Sequence, residues 1–190
     1  MKLILASASP RRLDLLARIG VTPDAVDPAH IDESVPQGEL PRDHALRLAI
    51  EKAEAVEERH PDALVLAADT VVAVGRRILP KVEDEATLRT CMKLLSGRRH
   101  RVLTGVALAI PGETTRSRLV ETMIAMKRLS DEEIDFYASH GEWQGKAGGY
   151  ALQGYGEVYV RHIAGSYSNV VGLPLAEARH LLKSAGYPIA

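Results

Sequence analysis

The chain has 190 residues, 46% of them hydrophobic, with 24 Lys and Arg against 25 Asp and Glu and a net charge of −1. That is apolar content enough for a real core, in one large domain or two small lobes. The charge balance is too even to select nucleic acid or a membrane surface. A single cysteine, Cys91, excludes an internal disulfide framework and a cysteine-rich zinc site, and reads as a small core residue. Aromatic residues, at 4%, are too sparse for a base-stacking platform. The opening apolar run is too short for a signal peptide, and no stretch approaches transmembrane length, so a cytoplasmic setting is expected.

Leu3 to Ala6 is a short, continuously apolar run, the pattern of a buried strand. Ser9 precedes Pro10 as an N-cap precedes a first helical residue, and Leu13, Leu15, Leu16 and Ile19 then recur at helical spacing before Gly20. A helix start leaves N–H groups unsatisfied and attracts anions. Ser7, Ser9, Arg11 and Arg12 would add hydroxyls and planar guanidinium forks there. An ordinary capped helix with two solvated arginines accounts for the stretch equally well. Val21 to Pro28 reads as a short strand and turn, and Ile31 to Ser34 as an acidic loop. Glu33 in that loop is either solvated or placed to hold a metal ion or water. Pro41 to Arg59 is a strong helix stopped before Pro61. Lys52 lies beside its apolar side, as a snorkelling lysine does, and would reach a phosphate if the helix lined a cleft.

Ala63 to Val74 is the longest apolar run, rich in β-branched residues. The Gly75-Arg76-Arg77 turn makes it a central strand entering a hairpin that Ile78 to Lys81 closes. Asp69 interrupts this run. A carboxylate buried there is costly without partners, a metal or a raised pKa; the alternative is a strand-end Asp bonded to nearby backbone. Asp84 caps a helix to Leu95, and Arg101 to Ile110 and Thr114 to Lys127 form an antiparallel pair around Pro111-Gly112. Ser130 and Glu133 have capping-box spacing and open a helix to about Ser139. Gly145 to Tyr150 reads as a flexible basic loop carrying Lys146; Tyr150 to Gln153 and Glu157 to Ile163 are strand-like. A polar loop from Gly165 leads into a last helix at Pro174 that ends near Gly186. With no repeat and no long linker, residues 1–190 are expected to form one domain of two lobes.

These signals combine. The basic, hydroxyl-rich helix start, the carboxylates Glu33 and Asp69, and the lysines Lys52, Lys81 and Lys146 suit a polyphosphate held with a divalent ion. Phosphoryl chemistry needs little beyond positioning and charge stabilisation. The glycine-rich lysine loop of P-loop proteins, the kinase motifs and the nucleophile elbow of hydrolases are all absent, and the seven histidines lack metal-binding spacing.

The chain resembles the Maf family of nucleoside triphosphate pyrophosphatases. The motifs are Leu5-Ala6-Ser7-Ala8-Ser9-Pro10-Arg11-Arg12, Ala67-Ala68-Asp69-Thr70-Val71-Val72, Leu95-Ser96-Gly97 with Thr104-Gly105-Val106-Ala107-Leu108, Lys146-Ala147-Gly148, Leu152-Gln153-Gly154, and Gly165 to Pro174. Each is weak alone; in order over the whole chain they are specific. The resemblance implies an α/β fold related to the inosine triphosphate pyrophosphatases, an elongated mixed β-sheet with flanking helices and two lobes around a central cleft. It implies hydrolysis of a nucleoside triphosphate to the monophosphate and pyrophosphate with a divalent metal cation, Mg²⁺ or Mn²⁺. By the same carry-over Asp69 is the catalytic base. Ser7, Arg12, Lys52 and Lys81 hold the triphosphate, and Glu33 with Asp69 supports the metal. Arg11, Thr70 and Gln153 match the branch acting on dTTP and UTP, and with them modified pyrimidine triphosphates. The other branch, preferring 7-methyl-GTP, and a nucleotide-binding regulator of septum formation are the alternatives. Glutamine donates and accepts, so it can pair with a pyrimidine edge. Homodimers are common in the family, so a homodimer is a partner to expect. Two positions depart from the family pattern: Pro80 stands before Lys81, and Gly145 replaces an Asp usual before the lysine of Lys146-Ala147-Gly148.

Overall fold

The computed structural model of the chain describes residues 1–189; Ala190, the last residue of the span expected to form one domain, lies outside the described residues. Leu3–Leu5 is β1, Pro10–Arg18 α1, Ala25–Val26 β2, Pro41–Glu57 α2 and Leu64–Val74 β3. Arg77–Leu79 is β4, Lys81–Val82 β5, Glu85–Leu95 α3, Arg99–Ala109 β6, Arg116–Met126 β7 and Asp131–His140 α4. Then come β8 (Lys146–Ala147), a 3₁₀ helix at Tyr155–Tyr159, β9 (Val160–Ala164), α5 (Tyr167–Val171) and α6 (Leu175–Ser184).

The main sheet runs β2-β1-β3-β6-β7-β9, with β4 also on β3. β1 is parallel to β2 and β3, and the other pairs are antiparallel. The long apolar run of β3 follows from its place: it is covered on both faces, so it needs no polar alternation. On one face α2 brings Ala45, Ala49 and Ala53 against Val65, Ala67 and Val71. These small residues let the helix lie close, and Gly105 of β6 closes the fit. A Cβ at Gly105 would stand 2.2 Å from the Ala45 carbonyl oxygen. The other face carries two separate apolar clusters. One joins α1 and α6 to β1 through Leu15, Leu16, Leu181 and Leu182. The other joins α3 and α4 to β6 through Leu88, Met92, Val102 and Tyr137, and Cys91 lies within it as expected.

The edge of β3 is where the site forms. β1 pairs with Leu64–Leu66, and β4 with Val72–Val74. Between them, among the described residues, no strand covers residues 67–71 on that edge, and the sheet is notched there. Asp69 and Thr70 stand in the notch, pointing to opposite faces as neighbours on a strand must.

Five sequence expectations differ from the structure. Tyr150 to Gln153 forms turns, not a strand. Gly148 and Gly149 precede it at φ 66° and 76°, and the Ala151 N–H donates to the Tyr137 hydroxyl instead of a ladder partner. Glu157 to Tyr159 lies in the 3₁₀ helix, so the strand begins at Val160; the Glu142 carboxylate accepts from the Tyr155 and Gly156 N–H groups at the start of that helix. The polar loop after Gly165 contains α5, capped where the Ser166 hydroxyl accepts from the Asn169 N–H. The loop at Gly145 is pinned: Lys146 and Ala147 pair with Val82 and Lys81, flanked by Gly145 N–H to Val82 O at 2.8 Å and Gly148 N–H to Pro80 O at 3.0 Å. The hairpin itself stops at Leu79, because Pro80 has no N–H to donate, and Lys81 turns to this second, two-stranded sheet.

Candidate active site

A cleft of about 390 Å³ opens on the notch. Ser7, Arg11, Arg12, Glu33, Lys52, Asp69, Thr70, Lys81 and Gln153 all line it, joined by Ser9, Lys146 and Tyr150. Residues spread over most of the chain therefore meet in one concavity of the size that small-molecule sites take.

Asp69 is 5% exposed and Lys52 6% exposed. α2 lies on the face to which Asp69 points, so Lys52 reaches it from the helix: Nζ donates to Asp69 Oδ1 at 2.6 Å. The same ammonium lies 2.7 Å from Glu33 Oε1, and Lys81 Nζ donates to Glu33 Oε2 at 2.7 Å. The buried carboxylate in the apolar strand is thus paired, as the cost of burying it alone requires. Burial pushes the Glu33 carboxyl up, but the hydrogen bonds and charges of Lys52 and Lys81 outweigh it and hold it down at about 2.

On the other side of the notch Arg12 is fixed from three directions. Its Nη1 donates to Ser7 Oγ at 2.8 Å, its Nε to the Gly172 carbonyl at 2.8 Å and its Nη2 to Thr70 Oγ1 at 3.4 Å. Thr70 Oγ1 lies 2.9 Å from Thr104 Oγ1, which in turn donates to the Asn169 carbonyl at 3.1 Å. Burial lowers the Arg12 pKa, while the Asp69 charge works against that shift. Ser7 also accepts the Ser9 N–H at 3.2 Å, so the strand-to-helix turn aims backbone and hydroxyl at one place.

Ser9 corrects one expectation. Its backbone is extended at the N-cap position, yet its side chain accepts no capping hydrogen bond, and the residue lines the cleft. Tyr150 and the Gly172 carbonyl belong to the site without having been singled out from sequence. Gly172 lies 160 residues from Arg12, and no local pattern announces such a contact. Tyr150 is held through its hydroxyl, 2.7 Å from Nε2 of the buried His100.

The donor set fits a divalent cation of the magnesium type. Glu33 and Asp69 converge on one ammonium, so both carboxylates face the same part of the cleft. Among the described residues no group of three or more His, Cys, Asp or Glu could form a closed protein cage. One or two carboxylates completed by phosphate oxygens and water is the usual manner of holding Mg²⁺. No helix among the described residues is long and apolar enough to cross a membrane.

The family model described as Maf-like protein matches residues 2–185. The dTTP/UTP pyrophosphatase of Caulobacter vibrioides is 62% identical over 185 residues, which are 97% of this chain and 96% of that protein. The dTTP/UTP pyrophosphatase of Paramagnetospirillum magneticum is 61% identical over 97% of each chain. A solved nucleoside-triphosphatase / dITP/XTP pyrophosphatase of Mycobacterium abscessus superimposes with a TM-score of 0.50 over 98% of this chain and 95% of that one. At 17% identity that likeness is one of fold.

Proposed function

The chain belongs to the Maf-like protein family, and from that premise we infer that it hydrolyses dTTP and UTP to the monophosphate and pyrophosphate. Supporting this reading most directly is the Asp69–Lys52–Glu33 cluster, set in a sheet-edge notch among arginines and lysines.

In this reading the triphosphate lies along the cleft with its α-phosphorus beside Asp69. Asp69 takes a proton from water at Oδ2, since Oδ1 is engaged by Lys52. The water oxygen bonds to the α-phosphorus, the bridging bond to the β-phosphate breaks, and pyrophosphate leaves with the bridging oxygen. Ser7, Arg12, Lys52 and Lys81 bind and orient the phosphates and offset the charge that builds on their oxygens. Glu33 and Asp69 would hold Mg²⁺ or Mn²⁺, which supplies further charge neutralisation when bound. Arg11, Thr70 and Gln153, which line the cleft, would read the nucleoside, with Gln153 offering both a donor and an acceptor to a pyrimidine edge. The nine residues act from one domain whose two lobes flank the cleft, and a homodimer is the assembly expected.

A nucleotide panel with Mg²⁺ tests the reading. UTP and dTTP should give pyrophosphate and the monophosphate, with purine triphosphates, 7-methyl-GTP included, turned over more slowly. Release of single orthophosphates would overturn the reaction class, and a preference for 7-methyl-GTP would overturn the substrate assignment.

A further inference from the structure

Glu33 stands in a segment with little main-chain bonding to hold it. Residues 27–40, between β2 and α2, form neither helix nor strand. Among the described residues the one main-chain hydrogen bond formed by residues 28–39 is internal, from the Glu39 N–H to the Pro36 carbonyl at 3.1 Å. Side chains tie the end next to β2. Arg59 Nε donates to Asp27 Oδ2 at 2.9 Å, and Arg59 Nη2 donates to the Pro28 carbonyl at 3.3 Å. Glu33 itself is presented by a turn that Asp32 closes: the Asp32 carboxylate accepts the Ser34 N–H at 2.9 Å and the Ser34 hydroxyl at 3.0 Å.

Two kinds of contact dock this turn. One is the pair of ion pairs from the Glu33 carboxylate to Lys52 and Lys81. The other is Arg47, on the same helix as Lys52, whose Nη2 donates to the Ser34 carbonyl at 3.3 Å. Arg47 is itself fixed. Its Nε and Nη2 donate to the two Glu39 oxygens at 2.6 and 3.0 Å, and its Nη1 donates to Glu51 Oε2 at 3.0 Å. Glu39 also lies 2.6 Å from Nδ1 of the buried His44. One rigid guanidinium fork thus joins α2 to the far end of the segment, through Glu39, and to its middle, through Ser34.

The two kinds differ in what happens when the cleft fills. In the reading above Lys52 and Lys81 bind phosphates and Glu33 turns to the metal, so the ion pairs that dock Glu33 are traded away. Arg47 holds a main-chain carbonyl instead and uses no Glu33 oxygen. We propose that Arg47 is a positioning residue for Glu33: it clips the turn at Asp32 to Ser34 onto α2 and keeps that carboxylate at the cleft after Lys52 and Lys81 release it. The clip stands on the contacts of Arg47; its bearing on the metal rests on the pyrophosphatase reading.

Brief digestion of the ligand-free protein with proteinase K, the cuts located by mass spectrometry, tests the clip without turnover. Arg47→Met should be cut within residues 28–38 about tenfold faster than wild type, the effect of losing one charge-assisted hydrogen bond, while the rest of the chain resists as before. Arg47→Lys keeps the charge beside Glu39 but loses the fork. It should show the same change in milder form, which preserves the test if Arg47→Met folds poorly. Glu51→Gln removes a partner of Arg47 outside the segment and should behave as wild type. In turnover, Arg47→Met should raise the Mg²⁺ concentration for half-maximal UTP hydrolysis about tenfold, the loss typical when the support of a metal ligand is removed. Saturating Mg²⁺ should then restore most of the rate, whereas a merely structural residue would leave it low at every Mg²⁺ concentration. Wild-type cutting in both Arg47 variants, faster cutting over the whole chain in Arg47→Lys, faster cutting in Glu51→Gln, an unchanged Mg²⁺ requirement, or a rate that saturating Mg²⁺ does not restore would overturn the proposal. Faster cutting confined to residues 28–38 in a protein that hydrolyses no UTP would sink the pyrophosphatase reading and leave the clip standing.

Discussion

Lys52 shows how one side chain decides the character of the site. Its ammonium is buried with Asp69 and bridges to Glu33, so it holds two carboxylates together that would otherwise repel. His100 is a second buried titratable group, hydrogen-bonded to Tyr150, which lines the same cleft. It is 2% exposed, and burial pushes its pKa down to about 4. The unfolded chain therefore binds a proton near pH 6.5 that the folded chain refuses until about pH 4. Stability from this group is complete above the unfolded value and falls as the pH drops through that window. The loss amounts to on the order of 3 kcal/mol. Chemical denaturation near pH 7 and near pH 4 should show this acid loss in wild type and its absence in His100→Gln; equal losses would contradict it.

Among elements, α2 and the edge of β3 set the geometry. Lys52 reaches Asp69 only because α2 lies close against the sheet, and it lies close because Gly105, opposite Asp69 in the ladder, has no side chain. Gly105→Ala would drive a methyl into the Ala45 carbonyl, whose helix cannot yield without moving Lys52. We expect a stability loss of about 2 kcal/mol or more together with a drop in kcat. Thermal unfolding and turnover of the same variant check this, and a stable variant of full activity would contradict it. Much at this scale was legible beforehand. The apolar run around Asp69, the proline-started helices and the Ser130–Glu133 capping box all depend on neighbours in sequence, and they formed within a few residues of expectation. Tyr150 to Gln153 misled because its apolar residues face a core without joining a ladder; the Tyr137 hydroxyl and the Glu142 carboxylate take up nearby N–H groups instead. The β5–β8 pairing was hidden because two-residue strands leave no periodic trace, and Pro80 diverts the chain where a hairpin would continue.

For the molecule as a whole, the cleft is a consequence of topology. β1 and β4 both lie on the same edge of β3 and stop short of one another, and the loops that leave them carry Ser7, the arginines and Lys81 to the gap. Sequence named Asp69 because a carboxylate in an apolar strand is unusual in its own surroundings, and the remaining side chains through their combination and the resemblance to the family's motifs. It could not show that Thr70, Thr104 and Gly172 join Arg12 in one network, since those contacts span up to 160 residues and belong to the folded chain alone. The proposed reaction rests on water attacking the α-phosphorus with Asp69 as base. Hydrolysis of UTP in heavy-oxygen water, analysed by mass spectrometry of the products, tests it most directly. The label should appear in the monophosphate and not in pyrophosphate, and Asp69→Asn should abolish its incorporation while still binding the nucleotide. Label in the pyrophosphate, or undiminished labelling by Asp69→Asn, would contradict it.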